Sequence, residues 1–484
     1  MHGSLYGFGL WDGATRGRTG QRTNLKIMLK RMREEMGPLI RLAWPIALAE
    51  LGWMAMQMVD TMMVGRLPDS AVAIGAVSLG SILFYTVGIF GSGLLLGLDT
   101  VVSQSFGAGE VRDCHRSLVA STYLTLLLTP VLMGLVLLWV PVLQRFGIAP
   151  EVLEQAVPYL NAVNWSMFPL LLYFGLRRYL QGMNLVKPVA FALVSANLVN
   201  VFANWVLIYG KLGAPAMGTE GAGWATFISR AYMAALLLGC ALYYDRKFKT
   251  GLPDISWKPD WERMRRLMAL GLPAATQLAL EVAVFALVTA LMGRLDAVSL
   301  ASHQIALNTV AFTYMVPLGI GSAAAVRVGQ ALGRRDPAGA ALSGWTAIAL
   351  GAGFMTAAVV VLWLEPRWIV RIYTADADVL RVGVMLLFIG AFFQLFDGIQ
   401  AVATGALRGA GDTHTAMLTH IACYWLLGLP LGYWLCFGRG WGASGLWVGL
   451  CAALITIGVV LLAAWRRKVR RFAWLQIDSP AGGA

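Results

Sequence analysis

The chain has 484 residues and a mass of 52.3 kDa; 58% of its residues are hydrophobic, only 13% are charged, and its mean hydropathy is +0.67. A soluble domain carries about 25% charged residues, so this composition excludes a disordered chain and argues against a soluble enzyme. The net charge of +13 would suggest nucleic acid in a soluble protein, so where the basic residues sit decides its meaning.

Charge-free apolar runs such as 117–144 and 337–364 exceed the roughly 20 residues needed to cross a bilayer. Twelve spanning helices are predicted, at about 38–64, 71–98, 116–141, 154–178, 188–210, 219–243, 267–293, 298–325, 339–364, 379–405, 413–437 and 442–465. The expected fold is an all-α membrane protein. Helices rather than barrel strands follow from run length and from the need to pair every backbone group internally in hydrocarbon.

The connections alternate in charge. The N-terminal tail, the even-numbered connections and the C-terminal tail hold 29 of the 38 Lys and Arg residues. The opposite set holds eight: Arg66, Arg145, Lys211, Arg294, Arg367, Arg371, Arg381 and Arg439. Arg230 alone is assigned to a helix interior. This asymmetry places both termini in the cytoplasm, in the inner or plasma membrane, and leaves no need for nucleic acid as a partner. Residues 1–24 lack the apolar core and cleavage site of a signal peptide and read as a flexible basic tail, with Met32 as an alternative start. The five cysteines form no C-x-x-C pair and mostly lie in apolar runs, so neither a disulfide framework nor a zinc site is expected. No G-x-x-x-x-G-K-[ST] loop is present to bind ATP, and no cofactor is expected.

The two halves repeat one another. Pro45, Gly65-Arg66-Leu67, Gly91 and Gly93 recur 228 residues later as Pro273, Gly293-Arg294-Leu295, Gly319 and Gly321. Gln104 and Gly107 recur 226 residues later as Gln330 and Gly333, and Leu180 and Gly182 recur after 227 as Leu407 and Gly409. The expected organisation is a tail (1–36), a first lobe of helices 1–6 (37–245), a basic linker (246–266), a second lobe of helices 7–12 (267–471) and a C-terminal tail (472–484). Six helices per half give parallel repeats, an arrangement found in alternating-access transporters with the substrate site between the halves.

A charge at membrane depth costs at least about 2.5–3.5 kcal/mol on insertion scales, so such residues usually serve function. Five are singled out: Glu50, Asp60, Arg230, Glu281 and Asp397. Gln277 lies one turn before Glu281, and Gln394 and Gln400 flank Asp397 at three residues either side. These polar stripes imply a wet, inward-facing wall. A carboxyl there can hold a proton, Na⁺ or an organic cation, and competition for one carboxylate is the simplest basis for antiport. Asp60 sits near the outer end of its helix, where an interfacial role competes. Glu50 either pairs with Arg230 or takes part in transport. Asn200 and Asn204 share a helix face; they either hold helices together or offer carbonyl oxygens to Na⁺. His303 either shuttles protons or bridges two helices.

The ordered strings MVDTMMVGRL, LDTVVSQSFGAG, NVFANWVLIYG, LPAATQLALEVAVFAL, ASHQIALN and FQLFDGIQAVATGALRGAGDT give a chain that resembles the multidrug and toxic compound extrusion family, in its NorM-like branch, over about residues 37–471. The resemblance implies a V of two six-helix lobes. It also implies efflux of small organic cations and amphiphilic drugs in exchange for H⁺ or Na⁺, by a monomer embedded in membrane lipids rather than an enzyme. It assigns Asp60, Glu281 and Asp397 to the family's essential acids and Asn200 and Asn204 to its helix-5 amides, with Na⁺ placed among Glu281, Asp397, Asn200 and Asn204. Two positions depart: Phe393 stands where a tyrosine often precedes the helix-10 acid, and Glu50 where glutamine is frequent. A lipid-linked precursor flippase of the same superfamily is the alternative, disfavoured by the scarcity of buried cations in this reading.

Overall fold

The computed structural model describes residues 18–145 and 148–477. In chain order the α-helices are α1 (Arg18–Val64), α2 (Ser70–Leu94), α3 (Gly97–Gly107), α4 (Val111–Arg145), α5 (Pro150–Asn164), α6 (Met167–Gly182), α7 (Val186–Tyr209) and α8 (Gly218–Phe248). They continue as α9 (Trp261–Gly293), α10 (Ala297–Gly333), α11 (Pro337–Leu364), α12 (Pro366–Tyr373), α13 (Ala377–Gly409), α14 (His414–His420), α15 (Leu429–Tyr433) and α16 (Ala443–Ile477). Two π-helical stretches, Ile421–Gly428 and Trp434–Gly438, flank α15. Among the described residues there are no strands, and eleven segments are long and apolar enough to cross a membrane.

Twelve were expected, and the difference has a local cause. The predicted fourth span breaks at Trp165-Ser166 into α5 and α6, of 15 and 16 residues. The Ser166 hydroxyl turns back to the Val163 carbonyl and also takes a hydrogen bond from Arg230. Pro169 then falls in the first turn of α6, where its missing N–H has no intrahelical partner to lose. A second break, at Leu95-Leu96, separates α2 from α3, which carries the chain nine residues beyond the predicted end of the second span. The predicted tail 1–36 is helical from Arg18 onward, with 1–17 outside the described residues; the C-terminal tail continues α16 to Ile477, with 478–484 outside them.

The aspartates that precede the second-half helices explain their sharp starts. Asp260, Asp296, Asp336 and Asp376 each accept a backbone N–H in the first turn of α9, α10, α11 and α13, satisfying donors that a helix N-terminus leaves free.

Two apolar cores form. One collects side chains of α2–α8 with Ala49, Met56 and Val64 of α1. The other collects α9–α16 with Leu39, Leu42, Ala43 and Ile46, also of α1. Helix α1 therefore begins in the core of the second half and ends in that of the first, so residues 39–46 depart from the expected first lobe. Segment 249–260 is seated on the first half: Leu252 and Ile255 enter its core, and Tyr123 donates from its hydroxyl to the Trp257 carbonyl (2.7 Å). Arg263 extends this seat by an ion pair with Asp113 at 2.6 Å.

Candidate functional site

In the first half, the last turns of α1 bring Asp60 against α7 and α8. Its carboxylate accepts from Asn204 Nδ2 (2.6 Å) and Thr226 Oγ1 (3.2 Å), and Asn204 also donates to Asn200 Oδ1 at 3.1 Å. Asn200 and Asn204 lie one helical turn apart, so both face the same acid. Asp60 is 9% exposed. The expectation that grouped these amides with Glu281 and Asp397 is corrected: their hydrogen bonds run to each other and to Asp60, on the other core.

Glu281 of α9 and Asp397 of α13 are linked through His420 and Gln400. Asp397 Oδ1 accepts from Gln400 Nε2 (3.1 Å), whose amide also approaches the Tyr314 hydroxyl at 3.5 Å. The centre of this group is His420, fully buried at the end of α14. Its Nδ1 faces the Ala416 carbonyl at 2.7 Å, so the ring proton there is committed to that oxygen. Its Nε2 meets Gln400 Oε1 at 3.0 Å, Gln277 Nε2 at 3.4 Å and Glu281 Oε2 at 3.9 Å. A charged Asp397 orients the Gln400 amide so that its oxygen faces His420, and that oxygen accepts only when Nε2 is protonated. A proton can thus reside on Glu281, His420 or Asp397 within one connected network. Sequence reading missed His420, although a histidine inside a predicted span is itself a signal.

Other candidates go elsewhere. Gln394 donates to the Thr313 hydroxyl rather than toward Asp397. Phe393 is buried against the Trp447 ring, with centroids 5.9 Å apart. His303 takes a hydrogen bond from Trp447 Nε1 on Nδ1 (3.1 Å), and its Nε2 faces the Thr289 hydroxyl (2.9 Å); both nitrogens are occupied, which is the helix-bridging role.

The pairing of Glu50 with Arg230 is also corrected. Glu50 is ion-paired with Arg177 of α6. Arg230 donates to Ser166 and to the Tyr85 hydroxyl, and its guanidinium lies 4.7 Å from the Phe84 ring centroid, a cation–π distance. Nor is Arg230 the sole cation within the helices: Arg177, Arg178 and Arg408 are buried as well. Arg177 and Arg178 close the predicted fourth span and Arg408 lies three residues past the predicted tenth, but α6 and α13 run on to Gly182 and Gly409, so all three stand within helices.

Among the described residues no group of three His, Cys, Asp or Glu is placed to hold a metal ion. Carboxylates beside amide oxygens instead offer hard oxygen ligands suited to a small monovalent cation or a proton.

Comparison with known proteins completes the picture. The MatE family profile matches twice, over residues 45–206 and 273–434. The chain belongs to the MatE family. The two matches are offset by 228 residues at both ends (273 − 45 and 434 − 206), the offset read from the internal repeat. MatE relatives include the "Probable multidrug resistance protein NorM" of Mesorhizobium japonicum, 36% identical over 90% of this chain and 95% of that protein. The "Multidrug resistance protein NorM" of Photobacterium profundum is 32% identical over 92% and 97%. Among solved structures, the eukaryotic MATE transporter AtDTX14 superposes with a TM-score of 0.81 at 21% identity, over 91% of this chain and 99% of that one. A MATE structure in the straight conformation gives 0.81 at 19% identity. The MatE chain described here is a multi-pass membrane protein by these measures and by its eleven apolar segments.

Proposed function

We infer that the protein exports organic cations and amphiphilic drugs across the cytoplasmic membrane in exchange for H⁺ or Na⁺. The observation that carries this reading is the pair of acids, part-buried Glu281 and buried Asp397, joined by Gln400 and His420, in a family whose relatives are named multidrug resistance proteins. Two carboxyls at membrane depth, linked through one histidine and one amide, offer a site for a positive charge, be it proton, Na⁺ or drug. Loading the inorganic cation from outside displaces the drug, and the loaded transporter returns to release its ion inside. Moving one elementary charge through 100 mV supplies about 2.3 kcal/mol, equivalent to about 50-fold in concentration. Asp60 with Asn200, Asn204 and Thr226 forms a second acidic site in the first half.

The loop charges support cytoplasmic termini, and the family supports transport without catalysis by a chain that works as a monomer. A lipid-linked flippase is not favoured, because the additional buried arginines are engaged: Arg177 by Glu50, and Arg178 and Arg408 by Asp99.

The test is ethidium efflux in reconstituted vesicles under an imposed pH or Na⁺ gradient. Gradient-driven movement is expected in the native protein and its loss in Glu281→Gln, with drug binding retained when Asp397 is intact. Movement indifferent to both gradients would overturn the antiport.

A further inference from the structure

Away from the acids, the chain ends of α3, α6, α10 and α13 meet in an arrangement that the antiport chemistry leaves unused. Gln104 at the end of α3 donates from Nε2 to the Gly409 carbonyl (3.1 Å), and Gln330 of α10 donates from Nε2 to the Gly182 carbonyl (2.8 Å). These four residues are the ones that recur between the halves. Each bond therefore crosses from one half to the other, and each is the counterpart of its mate. The packing repeats in the same way: a Cβ on Gly107 would overlap the Gln330 carbonyl, and a Cβ on Gly333 would overlap the Gln104 carbonyl. The chain turns that follow also correspond, with positive φ at Gly109 and Arg335 (+80° and +60°) and at Asn184 and Gly411 (+63° and +77°).

One charge breaks this symmetry. Asp99, in the first turn of α3, is 1% exposed and lies 3.4 Å from Arg178 of its own half and 3.1 Å from Arg408 of the other. Thr100 beside it donates to the Arg408 carbonyl, and Arg178 reaches Ser322 of α10 at 3.4 Å. A helix N-terminus favours the anion at this position. If the halves part here, Asp99 keeps Arg178 and leaves Arg408 behind. A buried unpaired cation is costly, so partial separation is penalised and the junction has two stable arrangements: shut, or open far enough to hydrate Arg408.

We propose that this junction is the cytoplasmic latch of the transport cycle: a doubled glutamine–glycine clasp, locked by Asp99 held in common by Arg178 and Arg408. The proposal rests on the exporter reading, and the loop charges place this end in the cytoplasm. The clasp positions the halves; it touches neither drug nor coupling ion.

The experiment places spin labels at exposed Arg112 and Arg467, one in each half, in protein whose five native cysteines are replaced, and measures the distance distribution in lipid vesicles. Asp99→Asn is expected to raise the ratio of open to shut cytoplasmic ends about tenfold or more, the equivalent of about 1.4 kcal/mol. Gln104→Ala, which removes its bond to Gly409, is expected to raise it about fivefold, and Gln330→Ala, which removes the bond to Gly182 together with those to the Asn184 amide of the first half, by more. If Asp99→Asn fails to fold, the two glutamine variants read the same latch. Unchanged distances in folded Gln104→Ala and Gln330→Ala would overturn it. Wild-type protein that moves no ethidium while its distances respond would defeat the exporter reading and keep the latch; full transport with unresponsive distances would defeat the latch alone.

Discussion

Arg177 is 1% exposed and its charge is answered by Glu50. Removing one partner of such a pair leaves an uncompensated buried charge, at a cost of about 3–5 kcal/mol, whereas replacing both by apolar residues of similar size is often neutral. Glu50→Ala is therefore expected to lower the melting temperature in detergent sharply, and Glu50→Leu/Arg177→Met to recover most of the loss. Efflux by the double variant near the native rate would assign Glu50 a purely structural part; a stable but inactive double variant would return it to the transport path. Sequence alone could not name this pair. Both residues were visible, but α6 starts after a break and runs to Gly182, so Arg177 was counted at a loop edge and Glu50 was matched with the one cation left inside a span. The acids fared differently. Glu281, Asp397 and Asp60 stand out in apolar runs, whereas Thr226 reaches Asp60, and His420 reaches Glu281, from helices distant in sequence.

Helices α9, α10, α11 and α13 share one device, an aspartate just before the first turn. At Asp296 the carboxylate accepts from the Ser299 backbone N–H (2.7 Å) and hydroxyl (2.8 Å). The backbone bond first, then the hydroxyl, holds its pKa below the ordinary carboxylate range. A depressed folded pKa contributes stability that is fully present above the unfolded value and lost as the pH falls through the folded one. Asp296→Ala is expected to cost about 1 kcal/mol at neutral pH, with the difference from the native protein shrinking in melts at progressively acidic pH below the usual aspartate range. A difference that stays constant across that range would show that the cap is not electrostatic. Spans and their approximate limits were legible because apolar run length is a local signal; an Asp before a helix is equally local, yet these caps went unread. The break at Trp165-Ser166 was not legible, since it depends on Arg230 arriving from α8 to hydrogen-bond Ser166.

For the molecule as a whole, the repeat was readable from paired Gly, Pro and Gln positions, but not the route of α1 across both cores or the seating of segment 249–260 on the first half. That seating makes a differential prediction. Co-expressed fragments 1–258 and 259–484 keep Leu252 and Ile255 on the chain whose core they fill, and are expected to assemble and transport. Fragments 1–249 and 250–484 strip those residues from it and are expected to assemble poorly; equal recovery of both pairs on affinity capture would contradict the seating. The reciprocal bonds between Gln104 and Gly409 and between Gln330 and Gly182 carry one more implication. A contact in which patch a meets patch b and b meets a in return is the signature of an isologous dimer. A single ancestral six-helix unit needs only one such glutamine and one such glycine to make both bonds with a copy of itself. The interface therefore has the form of a homodimer's, drawn within one chain, with a lone aspartate making its two copies unequal.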